Sequence, residues 1–379
     1  MSNFNFVGYI RPMKNGFDVK DFDSGWMNER VRFIIQAGEN SHIVEINSGK
    51  WKSDSKNVIY TFSKANGDTK GEKMQVAWND RTNPDIIDKV AGWKIMTVDL
   101  DTKENRDAAV QSGDDDAIKA SNKRRHHFIA GTDFCEFVNK MLQSDKIKDM
   151  RFKVTGTVTY TYSSKDDRYY SNYEVNKIKR VSDTEAFSSF MSIPFYFGEG
   201  CIDMDSVEDH GMAIVSGYTN FYDSVDKKDR FCPLNLVLRG NEKAIKHWSK
   251  KFDATGDEIK RIYLDCEKIH GAPVVNITID DLDEDTREDI EFGLTTLEDV
   301  IKEMGQVKGD RIEEIRISHL GVGSRTSPAE ETDYTLEDMN IKPGIFVKDN
   351  NKNTENKETD IDDDDDDDLF ADVDDDLGI

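Results

Sequence analysis

Arg30-Val31-Arg32-Phe33-Ile34-Ile35-Gln36-Ala37 decides the fold class. Val31, Phe33, Ile35 and Ala37 fall on one side of an extended chain, and Arg30, Arg32 and Gln36 fall on the other. Successive side chains of a strand point to opposite faces, so this period-two pattern predicts a strand with one buried and one open face. Working outward, further strands are expected at 42–46, 57–63, 73–78 and 92–100. They are divided by Asn47-Ser48-Gly49, Asn66-Gly67-Asp68 and Asn79-Asp80, residues that turns recruit because Gly and Asn tolerate positive φ and Asp bonds its own backbone. The polar stretch 101–127 holds Asp114-Asp115-Asp116 and ends in Lys123-Arg124-Arg125-His126-His127; it reads as a long mobile loop. A helix follows, with Thr132 or Asp133 as N-cap and Phe134, Phe137, Val138 and Met141 along one face. A long hairpin is expected from 151–162 and 169–181, around a turn at 163–167.

Residues 186–348 give a second mixed region. Strands are expected at 212–221, 231–239, 259–270, 273–279 and 312–319. Helices are expected at 242–251 and at 295–304, where Leu297, Val300, Ile301 and Met304 share a face. From 349 the chain is polar, and Asp362 to Asp368 is unbroken aspartate; such a segment repels itself and builds no core. The expected architecture is mainly β with some helix (α+β): an OB-fold-like barrel, two in tandem, followed by a disordered acidic tail. The division places an OB-like nucleic-acid-binding domain at 1–185, an acidic second domain at 186–348 and the tail at 349–379.

Composition narrows the function. The 379 residues include 20 Phe, 12 Tyr and 5 Trp, an aromatic load that excludes wholesale disorder. No apolar stretch reaches the roughly 18 residues that span a bilayer, and the start lacks a basic region followed by an apolar one. The expectation is a soluble cytoplasmic protein with no membrane partner. Cys135, Cys201, Cys232 and Cys266 are widely separated, which suits reduced thiols and excludes a zinc finger. The net charge of −25 is uneven: +2 over 1–186, −14 over 187–348 and −13 over 349–379. The first half is thus free of the acidic excess that would repel phosphates.

Basic residues interleaved with aromatics suit a single strand, whose backbone follows cations while its bases stack on rings, at about 1–3 kcal/mol per base. Trp26, Arg30 and Arg32 are one such group. Lys50-Trp51-Lys52 follows a glycine, and Arg81, Arg124, Arg125, Arg168, Tyr169 and Tyr170 complete the set. Arg30 and Arg32 qualify because they oppose the apolar face. Trp78, in phase with Met74 and Val76, and Tyr160, in phase with Val154 and Val158, read as core.

The tail is the most specific feature: an aspartate run, then Leu369-Phe370-Ala371, Asp372-Val373, Asp374-Asp375-Asp376 and Leu377-Gly378-Ile379. An acidic run closed by apolar residues at the carboxyl end resembles the tail of bacterial and bacteriophage single-stranded DNA-binding proteins. The resemblance implies that Leu369, Phe370, Leu377 and Ile379 dock on polymerase, helicase or recombination factors, while the carboxylates compete with DNA for the basic groove. Gly378-Ile379 stands where Pro-Phe is usual in the bacterial proteins. The plainer reading, a solubilising tail, does not call for those apolar residues.

No catalytic constellation stands, and no cofactor or metal is implied. There is no G-x-x-x-x-G-K-[ST] and no H-E-x-x-H. Gly321-Val322-Gly323-Ser324 lacks the third glycine of a dinucleotide loop. Asp281-Leu282-Asp283-Glu284-Asp285 begins like a calcium loop, but Thr286 and Phe292 replace its glycine and closing glutamate. Asp203 and Asp205 read as surface carboxylates, and His126-His127 as part of a basic patch. The sequence therefore points to a non-enzymatic protein that coats single-stranded DNA in replication, recombination or repair, with self-association open to the second domain. Two alternatives stay open: a DNA-mimicking or inhibitory protein that binds a basic partner, and a virion or assembly component.

Overall fold

The computed structural model describes residues 1–65, 71–223, 226–271, 284–292, 294–296, 300, 312–324 and 329–343. The expected turn at 66–68, strand at 273–279, most of the helix at 295–304, the start of the calcium-like loop and the tail at 349–379 lie outside them. Met1–Pro343 form one compact unit, mainly β with several helices.

β1 (Asn3–Asp21), β2 (Trp26–Ala37) and β3 (Asn40–Trp51) open the chain as an antiparallel meander. An insertion follows, containing β4 (Val58–Phe62), β5 (Lys73–Ala77), β6 (Met96–Asp99) and β7 (Arg125–Phe128). Its helices are α1 (Pro84–Ile87), α2 (Lys103–Ser112), α3 (Asp115–Asn122) and α4 (Gly131–Leu142). β8 (Arg151–Ser163) and β9 (Arg168–Arg180) then form the long hairpin. β8 returns to β1, and β9 lies parallel to β3 through Glu45 and Glu174. The five strands β1, β2, β3, β9 and β8 therefore close on themselves, with α4 between the third and fourth in chain order: an OB-fold barrel.

The second half repeats the plan. β10 (Ser188–Phe197) is its first strand. After β11 (Ile202–Asp203) and α5 (Val207–His210) come β12 (Met212–Asp223), β13 (Lys228–Arg239), α6 (Glu242–Ser249), β14 (Lys260–Gly271) and β15 (Ile312–Leu320). β10 pairs β12 and β14, β12 pairs β13, β14 pairs β15, and β13 runs parallel to β15. That is the same closure again. The barrels are joined edge to edge: Asn3–Val7 of β1 pair antiparallel with Ser188–Ser192 of β10, while the later part of β1 pairs β2. One apolar core runs through both, from Phe4, Phe6, Phe33 and Phe152 to Phe195, Leu236 and Leu264. Burying each such side chain contributes roughly 1.5–3 kcal/mol.

The structure departs from the sequence expectations at five places. Asn47-Ser48-Gly49 is not a turn but part of β3, because Gly49 leaves the space that Trp26 fills; a Cβ there would lie 2.3 Å from Trp26 Cζ2. The stretch 101–127 is not a long loop. Thr102 caps α2 by accepting from Asn105 N, and Asp114 caps α3 by accepting from Asp116 N. Beneath them buried Asp101 accepts from Ser121 Oγ at 2.6 Å and Asn105 Nδ2 at 3.2 Å. Helix α4 starts at Gly131 after Ala130, with no side-chain cap; Thr132 is already inside the helix, and Asp133 is held by Arg81. Strand β10 was not expected at all. The stretch expected as strand 92–100 is strand only at Met96–Asp99, since a 3-10 turn takes Gly92–Lys94.

Candidate nucleic-acid interface

The interior of the first barrel takes Glu29, Val31, Phe33 and Ile35 from β2. Trp26, Asn28, Arg30 and Arg32 consequently point outward. The register sets Trp26 opposite Trp51, Arg30 opposite Asn47 and Arg32 opposite Glu45. The Trp26 and Trp51 rings meet edge to face, centroids 5.2 Å apart at 79°, each half-buried, and Lys56 Nζ lies 5.4 Å from the centre of the Trp51 ring. The side chains of Arg30 and Arg32 form no hydrogen bond and no ion pair within 4.0 Å among the described residues. Glu45 stands beside them. Burial raises its carboxyl pKa; Arg30 and Arg32 pull it back, and Glu174 opposes them.

Two loops rim this face. Between β1 and β2, Phe22 is exposed with Lys20 Nζ 5.5 Å from its ring centre, and Lys52 pairs with Asp21 at 3.0 Å. In the β8–β9 hairpin, Arg168 lies over the exposed Tyr170 ring at 5.2 Å, and Tyr170 donates its hydroxyl to Asp166 at 3.2 Å. Strands two and three with the first and last hairpin loops are where this barrel class takes up oligomeric ligands. Trp26, Arg30, Arg32, Trp51, Lys52, Arg168 and Tyr170 are thus presented on that face or its rims. Lys20, Phe22 and Lys56 belong beside them. The sequence signal for these three was weak, since each sits where alternation gives way to a turn.

The remaining residues sit elsewhere. Lys50 points to the opposite side from Trp51. Its ammonium lies 3.0 Å from buried Glu29 and 3.1 Å from Glu136 of α4. Burial alone would lower its pKa, but the two carboxylates outweigh that and raise it. Arg81 pairs with Asp133 at 2.9 Å and covers the Trp78 ring at 4.3 Å, tying the insertion to α4. Arg124 and Arg125 reach buried Asp101 and Asp99 at 3.5 and 3.3 Å. Burial pushes the Asp101 carboxyl pKa up, yet hydrogen bonds from Ser121 and Asn105, with Arg124 and Arg106, bring it below the ordinary value. Tyr169 turns inward against Tyr162 and against Phe221 of the second barrel, at 5.0 and 6.2 Å. Trp78 and Tyr160 are buried.

Among the described residues no group of three or more His, Cys, Asp or Glu is placed to hold a metal. The Asp203 carboxylate accepts from Asp205 N at 2.9 Å, a local turn. All four cysteines are free and buried; burial pushes the Cys135 thiol up to about 12, far from a reactive thiolate. No helix among the described residues is long and apolar enough to cross a membrane.

No family profile and no curated protein matches this chain. Solved structures similar to it include a deletion mutant and the wild-type form of the single-stranded DNA binding protein from Thermus aquaticus. They are 9% and 8% identical, with TM-scores of 0.29 and 0.28, over 71% of this chain and 87% and 85% of theirs. Scores this low carry no argument; the barrels rest on the strand pairings given above.

Proposed function

We propose that the chain binds single-stranded DNA across the outer face of β2 and β3, with little sequence preference, and coats and protects strands in replication, recombination or repair. One observation carries this reading: Trp26, Trp51, Arg30 and Arg32 share one outward face of an OB barrel, the tryptophans half-buried and the arginines without ion-pair partners among the described residues. Every base has a face to stack, whereas guanidinium groups answer phosphates whatever the sequence. The test is a titration with poly-dT at low salt, following tryptophan fluorescence, with duplex DNA as control. Quenching by the single strand that weakens as salt is added is expected. No response would overturn the reading.

The arginines make a separate prediction. Each phosphate contact on a single strand contributes about 0.7 to the slope of log affinity against log salt. The Arg30→Ala/Arg32→Ala variant is therefore expected to lower that slope by roughly 1.4. An unchanged slope would show that neither arginine meets a phosphate.

The tail enters the same reading. Residues 349–379 carry 15 Asp+Glu and 2 Lys+Arg, and such a chain competes with phosphates for cations at long range. Truncation after Lys348 is expected to tighten binding at low salt, with the gain fading as salt is raised. It also removes Leu369, Phe370, Leu377 and Ile379, which we assign to docking on polymerase, helicase or recombination proteins. Equal affinity of both forms at low salt would remove the competition.

A further inference from the structure

The face of the second barrel that corresponds to the Trp26–Trp51 face is covered in part by the chain itself: Tyr196, Tyr218 and Phe231 pack against it, while Ser216, Pro233 and Asn235 stay exposed. Residues 329–343 form a strap across it. Glu330 and Glu331 pair as a short strand with Arg261 and Lys260 of β14, and Thr332 donates its N–H and hydroxyl to the Ile259 carbonyl at 2.9 and 2.8 Å. Tyr334 then stands edge-on to Phe231 at 4.8 Å and to Tyr196 at 6.0 Å. Met339 is 1% exposed and completes a small apolar cluster with Tyr196, Phe231, Ile259 and Tyr218. Asn340 accepts from the Tyr218 hydroxyl at 3.1 Å. Phe231 and Tyr218 lie on the outward side of β12 and β13, since the inward side holds Ala213, Val215, Leu236 and Leu238.

The chemistry of this contact imitates a nucleic-acid strand. The strap offers Arg261 a carboxylate, Glu330 Oε2 at 2.6 Å, where a phosphate oxygen would serve. It offers Phe231 and Tyr196 a ring, where a base would serve. Charge fits the same picture. Of residues 187–348, the strap 329–343 carries 5 Asp+Glu against 1 Lys, and 272–311 carry 12 Asp+Glu against 4 Lys+Arg. What is left has 16 Asp+Glu and 14 Lys+Arg, so the rest of the second barrel's sequence is close to neutral. Its acidity belongs to one insertion and to the strap.

We infer that the outer face of β12 and β13 is a second single-strand-binding face, which residues 329–343 occupy in cis as a displaceable lid. This rests on the reading that the first barrel binds single-stranded DNA. Lid and strand exclude each other on Tyr196, Phe231 and Arg261, so DNA reaches those three side chains only as the strap lifts. The strap ends at the first barrel: Lys342 Nζ lies 2.7 Å from Asp167 in the β8–β9 turn and 4.9 Å from the Tyr162 ring centre. A strand lying along that hairpin competes for the contact that anchors the lid.

The experiment compares the full chain with Glu330→Gln/Tyr334→Ala and, separately, with Thr332→Pro, which deletes the N–H bonded to Ile259 without touching the aromatic face. Each is irradiated with bromodeoxyuridine-substituted oligo-dT and its crosslinks are mapped by mass spectrometry. Amide exchange shows that the strap has opened and that β12 and β13 stay protected. The wild-type chain is expected to crosslink mainly through the first barrel. In the variants new crosslinks at Tyr196, Tyr218 or Phe231 are expected, and the strand length covered per chain should grow by about 4–16 nucleotides, the span of one further barrel. A strap opened over an intact barrel, with crosslinks confined to the first barrel and an unchanged covered length, would overturn the lid and leave the first face standing. Absence of crosslinks at both barrels in every form would overturn the parent reading.

Discussion

Replacing Trp26 and Trp51 together with alanine is expected to weaken poly-dT binding by about 30-fold or more, from two stacking platforms at a minimum of about 1 kcal/mol each. Each ring leans on the other edge to face, so the first substitution also loosens the second ring. The two single variants should therefore sum to more than the double variant, the sign that two groups act as a unit. Both rings stand outside the barrel and only half-buried, so the urea midpoint should move little. Filter binding or fluorescence anisotropy with a labelled oligonucleotide gives the affinity, since the variant loses its own reporters. An affinity within twofold of the parent, with the fold intact, would remove these rings from the interface.

Lys50→Ala, one residue away, is expected to do the opposite: leave binding largely unchanged and destabilise the fold by about 3 kcal/mol. The cost comes from Glu29, whose side chain is only 4% exposed and would be left without its partner, and breaking a buried pair in this way typically costs about 3–5 kcal/mol. The lower end applies because Lys50 also reaches Glu136 near solvent. The double variant Lys50→Met/Glu29→Leu should recover much of the loss, since removing both charges leaves nothing unpaired. Urea unfolding with an unchanged slope measures this. A large loss of DNA affinity in Lys50→Ala with an unshifted midpoint would place Lys50 on the interface instead.

This pair shows how far the sequence could be read. Lys50-Trp51-Lys52 looks like one basic-aromatic group in the sequence, but in a strand neighbours alternate, and only the register to β2 tells which of them faces the strand. Taking Gly49 as a turn residue hid that alternation; its real role is to make room for an indole. Where one face is buried and the other open, as in 30–37, the pattern alone places both the strand and its outward arginines. Where both faces are buried it does not. From Ile193 to Phe197 of β10 every residue is buried, so no alternation exists, and Pro194 reads as a breaker. The helices of 101–127 escaped for a third reason. Their stability comes from caps and from the buried carboxylates Asp99 and Asp101 rather than from an apolar stripe. The lid over the second barrel has no local signature at all, because Tyr334 and Phe231 meet only through the fold.

The edge-to-edge join of β1 and β10 bears on how this architecture can be taken apart. Two barrels in a row suggest interchangeable modules, each portable into another chain. Here β1 serves three neighbours: β8 along one edge, with β10 and then β2 along the other. A fragment ending near 185 would carry away a strand whose first residues, including Phe4 and Phe6, lack their partner, and a bare strand edge invites pairing with another copy. The complementary fragment would lose the residue that donates to or accepts from Thr219 Oγ1, Ser2 Oγ at 3.0 Å, together with a neighbour of its own first strand. The repeat is one of pattern; as an object that can be cut, transplanted or inherited piecemeal, the pair is a single part.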